Sequence, residues 1–133
     1  MKEKELNNKL IEYFSSIKDT TIISSTDFTD ERESNMIVIS IDSVNQVYPS
    51  TPDYEYNITI LVDTFIEDDE KGELHKNTVK ILQEKINYMM NKNNYVEIFE
   101  DIPVVGVLFN GNNQSISDSS NRTEVSILLY SSF

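Results

Sequence analysis

The side chains that could do chemistry are few: one histidine, His75, two dense acidic runs and scattered tyrosines, with no cysteine. By helical projection His75 lies near the middle of an apolar face, in the first turn of a helix. As a general base it needs a second group, and as a metal ligand it needs companions at fixed spacing. No second histidine and no cysteine exists to supply them, so His75 reads as a structural residue with a hydrogen-bonded ring. The runs Glu67, Asp68, Asp69, Glu70 and Asp27, Asp30, Glu31, Glu33 lack the alternating oxygen ligands, central glycine and distal glutamate of an EF-hand loop. They read as solvated turns, and Asp68, Asp69, Glu70 and Glu73 also complement the dipole of the helix that follows. Gly72, Gly106 and Gly111 stand alone, so no phosphate-cradling loop is present. The serines from 115 to 120 form no nucleophile elbow. Tyr48, Tyr54 and Tyr56 either form a protein-binding patch beside a proline-containing segment or, for the latter two, begin a core face. No catalytic, cofactor-binding or metal-ligating residue is assigned, and no enzyme is expected.

The elements that must carry these residues fit one domain over 1–133, long enough for a single core and too short for two. Apolar residues make up 38% of the chain, but they fall in periodic runs, which separates it from a disordered segment. The net charge of −12 opposes binding to nucleic-acid backbones, where lysines and arginines must neutralise phosphates. Absence of cysteine removes disulfides and thiolate chemistry. The start, MKEKELNNKLIEYF, has charges where a signal peptide needs its apolar region, and no run approaches a membrane span. A cytosolic site of synthesis and no membrane association are expected.

Leu6, Leu10, Phe14 and Ile17 recur at helical spacing in the first eighteen residues. Two short strands follow, Thr20 to Ser25 and the run MIVISIDS, in which Ile37, Ile39 and Ile41 share a face. Residues 43–53, with two prolines among small polar residues, read as an exposed flexible arm. From Tyr54 to Ile66 a long strand places Tyr54, Tyr56, Ile58, Ile60, Val62 and Ile66 on one face, opposite Glu55, Asn57, Thr59 and Asp63. A helix from about Glu73 to Asn91 turns Leu74, Thr78, Leu82, Ile86 and Met89 inward and leaves Lys76, Lys80, Glu84, Asn87 and Asn91 wet. After the asparagine-rich stop NKNN come the runs YVEIFE and PVVGVLF, then a flexible polar loop over 110–121, then a last strand from Thr123 to Tyr130. The expected fold is α+β, in the order α-β-β-β-α-β-β: one mainly antiparallel sheet with both helices packed on it.

In this order of elements the chain resembles the tail terminator, or tail completion, proteins of tailed bacteriophages and their neck-ring relatives. The resemblance is carried by the N-terminal helix, the arm with Val47-Tyr48-Pro49, the strand Tyr56 to Phe65 ending at Asp68-Asp69, the helix Leu74 to Met90, and two closing strands. It implies a virion protein, assembled in the host cytoplasm, that forms a ring, usually of six subunits, at the head-proximal end of the tail. Such a ring caps the tube, docks the neck or connector proteins, and lets DNA pass without specific binding. A carboxylate-rich lumen would repel phosphates, in keeping with the negative charge. The ring interface is expected in the arm, at Val47, Tyr48, Pro49, Pro52 and Tyr54, and on another edge in the polar loop, at Asn110, Asn112 and Asn113. The competing expectation is an inhibitor or immunity-type protein whose carboxylates cover a basic partner.

Overall fold

The computed structural model describes residues 2–27, 34–47, 53–117 and 119–132. Helix α1 (Lys2–Phe14) leads into strand β1 (Thr21–Ser24), a 3-10 turn (Ser25–Asp27), β2 (Asn35–Gln46) and β3 (Tyr54–Phe65). After a second 3-10 turn (Ile66–Asp68) come α2 (Glu73–Met89), α3 (Lys92–Ile98), β4 (Val104–Ile116) and β5 (Ser120–Ser131). The strands form one sheet in the order β1-β2-β3-β5-β4, with β1 parallel to β2 and every other pair antiparallel. The α+β architecture with an N-terminal helix is therefore the one the periodicity predicts.

Residues alternate along β3 as its pattern requires: Tyr56, Ile58, Ile60 and Val62 are buried, and they meet Ile37 and Ile39 of β2 and Val125, Ile127 and Leu129 of β5 on the same side. Leu6, Leu10 and Phe14 of α1 and Val79, Leu82, Ile86 and Met89 of α2 close over that face. Tyr54 packs half-buried against this core, so Tyr54 and Tyr56 begin the core face. The two helices are clasped where the Tyr13 hydroxyl donates to the Lys85 carbonyl at 2.6 Å and the Lys85 ammonium lies 4.6 Å from the Tyr13 ring centre. Burial and the neighbouring Tyr88 push the Tyr13 phenol up to about 12.

The extent of the elements departs from expectation after α2, in β4 and at the end of β2. The run YVEIFE is helical, adding α3 to the expected order. Asn91 caps it by accepting from the Asn93 amide at 3.0 Å, and Tyr95 and Phe99, one turn apart, are both buried. The asparagines that end α2 thus start the next helix. The polar run expected as a loop over 110–121 is strand as far as Ile116, with Gln114 opposite Thr123 and Ser115 opposite Arg122. A hairpin ladder is made by backbone groups and tolerates polar side chains on both faces. The expected arm is likewise strand through Gln46, paired to Tyr54, and Val47 N–H donates to the Asp53 carbonyl at 3.1 Å. Tyr48, Pro49 and Pro52 lie outside the described residues.

Candidate functional site

The His75 ring, expected to be hydrogen-bonded, has a partner at both nitrogens. Its ring lies between Thr64 Oγ1, 2.8 Å from Nδ1, and Thr123 Oγ1, 2.8 Å from Nε2. Thr64 gives its hydroxyl proton to Asn35 Oδ1 at 2.7 Å, so it can only accept from His75 Nδ1–H, which leaves Nε2 to accept from Thr123. Asn35 in turn donates to Thr78 Oγ1 at 2.9 Å, and Thr78 donates to the Leu74 carbonyl at 2.8 Å. Burial lowers the His75 pKa below its ordinary value, and Asp69 and Asp63 only partly oppose this. The imidazole is a neutral bridge joining β3, β5 and α2.

The acidic turn is tied into the same corner. Asp69, almost fully buried, accepts from the Leu74 amide at 3.0 Å and the His75 amide at 2.9 Å, satisfying the open first turn of α2. Gly72, with φ of 72°, makes the left-handed step into the helix, a conformation that costs other residues energy. Asp68 accepts from Ser34, which binds the start of β2 to this turn. Among the described residues, no group of three or more His, Cys, Asp or Glu is placed to hold a metal ion, and no helix is long and apolar enough to cross a membrane.

What remains open is the sheet edge formed by β4. The strand has 13 residues and no charged side chain, and Val105, Leu108, Phe109 and Ile116 are 52%, 53%, 46% and 77% exposed. Among the described residues, the outward side of its backbone meets one side chain, the Tyr95 hydroxyl donating to the Val105 carbonyl at 3.1 Å. Two bulges, at Val105 and Asn110, interrupt its ladder with β5, and Gly111, with φ of 117°, carries the chain through the second. Of the asparagines singled out from sequence, Asn110 is the extra residue of that bulge, Asn112 lies opposite Val125 on the helix-covered side, and Asn113 lies opposite Glu124 on the other side. All three are exposed. Tyr54 opens the central strand β3 and Val47 follows β2 at the β2–β3 turn, whereas the three asparagines lie on the edge strand β4.

Between α2 and β4 runs a groove. At the N-terminal end of α2 it encloses about 480 Å³ and is lined by Lys71, Lys76 and Lys80 on one wall and Gln114 and Ile116 on the other, with Thr123 also lining it. At the C-terminal end of α2 it narrows to a pocket of about 120 Å³ between Ile86, Asn87 and Phe109. No carboxylate lines either part, and among the described residues these three lysines take part in no ion pair. Arg122, at the margin, is engaged instead with the buried Asp63 carboxylate, 3.4 Å from its Nε. Sequence reading passed over Lys76 and Lys80 as the wet side of a helix. The available signal was the concentration of Lys71, Lys76, Lys80 and Lys85 in one stretch of a chain with 23 acidic residues and only 11 lysines and arginines. Comparison with known proteins adds no name: the chain matches no protein-family model, and no curated protein matches it.

Proposed function

We propose that this protein is a non-catalytic structural subunit that assembles with copies of itself into a ring, of the kind found at the head-proximal end of a phage tail. The observation that carries the reading is the β4 edge: long, uncharged and apolar over 104–109, where edge strands of proteins that stay monomeric are blunted by charge, proline or cover. The opposite margin is also incompletely covered, since β1 spans only Met36–Ile39 of the longer β2. Two unlike edges on opposite sides of one sheet suit a head-to-tail contact, which closes into a ring when the rotation between subunits divides a full turn. The net charge of −12 suits a passage for DNA, because carboxylates facing a lumen repel phosphates.

Sedimentation and native mass spectrometry from micromolar to millimolar protein test the reading, together with electron microscopy of virions from a phage encoding the chain. A closed oligomer and a ring-shaped position in the tail or neck are expected. A strict monomer that instead binds a basic protein one to one would replace the ring with an inhibitor.

A further inference from the structure

The groove between α2 and β4 has the wrong sign for the rest of the molecule. The chain carries 23 acidic residues against 11 lysines and arginines, yet Lys71, Lys76 and Lys80 line one wall of its wide end, and no carboxylate of the described residues lines any part of it. The acids nearest in sequence are placed elsewhere: Asp69 is turned to the first amides of α2, and Glu70 and Glu73, which flank Lys71, are exposed and stay off the walls. The net charge of −12 does not reverse this local sign, because exposed charges more than about 8 Å away are largely screened at physiological salt.

We propose that the wide end of the groove is a binding site for a small polyanion built on a phosphate chain, inorganic or attached to a nucleoside. Its volume of about 480 Å³ falls in the range of small-molecule sites, about 300–1,000 Å³. The constriction toward Ile86 and Phe109, where about 120 Å³ remains, separates it from the rest of the groove. The lysines form a row: Lys76 and Lys80 are one turn of α2 apart, a rise of about 6 Å, and Lys71 precedes the helix by two residues. A single anion reaches one or two members of such a row, whereas a chain with a charge on every phosphate reaches all three. Lysine suits that task, because an ammonium is a compact point charge that meets phosphate oxygens from any direction, while planar bidentate recognition of carboxylates favours arginine. The remaining lining supplies an amide at Gln114 and apolar surface at Val79 and at Ile116, the latter 77% exposed, against which an organic group on the chain can lie.

Calorimetric titration of the full chain with sodium tripolyphosphate, ATP, inorganic phosphate and a triglutamate peptide, without divalent cations, tests this, and amide NMR shifts locate each ligand. Tripolyphosphate and ATP are expected to bind one to one and to shift the amides of residues 71–80 and 114–116, with inorganic phosphate and triglutamate weaker by about tenfold or more. Lys76→Gln with Lys80→Gln is expected to weaken both by about tenfold or more. Lys4→Gln with Lys92→Gln, which removes the same charge at positions off the groove, should leave both affinities unchanged. Each variant is checked for an unchanged circular-dichroism melt. Equal affinity for tripolyphosphate and ATP makes the phosphate chain alone the ligand; tighter ATP binding adds the nucleoside. The proposal is overturned if millimolar tripolyphosphate gives neither heat nor shifts, if the shifts fall outside the groove, or if the two double variants lose affinity alike. Triglutamate binding as tightly as tripolyphosphate also overturns it and assigns the groove to acidic peptides.

Discussion

His75 and Lys76 are adjacent at the start of α2, yet they belong to regions that treat polar groups in opposite ways. On the inner side, Asn35, Thr64, His75, Thr78 and Thr123 form a directional chain in which the His75 ring has a partner at both nitrogens, and the imidazole is neutral. On the outer side, three lysines take part in no ion pair among the described residues, and the adjacent strand edge meets one side chain, the Tyr95 hydroxyl. Buried polar groups must be satisfied within the chain because an unmet one costs about 1–3 kcal/mol, whereas exposed groups can wait for another molecule. The histidine, which by residue type is the usual suspect for chemistry, is therefore held by the fold at both ring nitrogens, whereas the surface lysines face outward.

The largest effect should come from breaking the covered side. Ile60 is fully buried at the centre of β3. Ile60→Asp buries a carboxylate without a partner and is expected to cost about 3 kcal/mol or more in chemical denaturation, or to prevent folding. An unchanged denaturation midpoint would mean that the buried face of the sheet is assigned wrongly. A smaller loss is expected in the polar chain. Thr64→Val removes a hydroxyl that serves both Asn35 and His75, leaving two groups unmet, and should cost about 1–3 kcal/mol. A variant as stable as the natural protein would show that water replaces the hydroxyl.

His75→Ala sharpens the same side through pH. The folded imidazole titrates below its ordinary value of 6.5, with desolvation as the main cause. The unfolded chain therefore takes up a proton first as the solution is acidified. The stabilising contribution of neutral His75 is fully present above the unfolded value and is lost as pH falls through the folded value. The stability gap between the natural chain and His75→Ala, measured by denaturation at a series of pH values, should be widest at neutral pH and narrow on acidification. A gap that widens in acid would mean that the imidazole is held charged.

How much of this was legible in the sequence follows from the same contrast. The pairing of β3 with the helix after it could be read because Ile58, Ile60 and Val62 keep period two while Leu82, Ile86 and Met89 keep helical spacing. Thr64 and Asn35 were passed over because a hydrophobic pattern does not register a buried polar residue, although Thr64 is fully buried and Asn35 almost so. Helix α3 was hidden because Tyr95 and Phe99 occur in a run too short to separate helix from strand by period alone. The far half of β4 read as a loop because Asn112, Asn113, Gln114 and Ser115 are turn-forming residue types, and the ladder that makes them a strand comes from β5. Beyond its lysines the groove was unreadable for a geometric reason: it exists only because α2 runs antiparallel to an edge strand some thirty residues later in the chain.

The smallest effect on folding is expected on the open side, where it coincides with the largest effect on assembly. Leu108 is 53% exposed on β4 and lies opposite Leu128, on the face away from the helices. Leu108→Lys keeps most of the side-chain stem on the sheet, places the ammonium in water, and should change stability by no more than about 0.5 kcal/mol. The same lysine blocks edge-to-edge pairing, since a neighbour arriving at β4 would have to bury or displace the charge. The variant should melt with the natural chain and sediment as a monomer at concentrations where the natural chain forms its oligomer. If it assembles normally, the β4 edge is not the contact, and the apolar residues along it require another explanation. If it melts early, Leu108 belongs to the fold, and the division between a satisfied side and a waiting side is drawn in the wrong place.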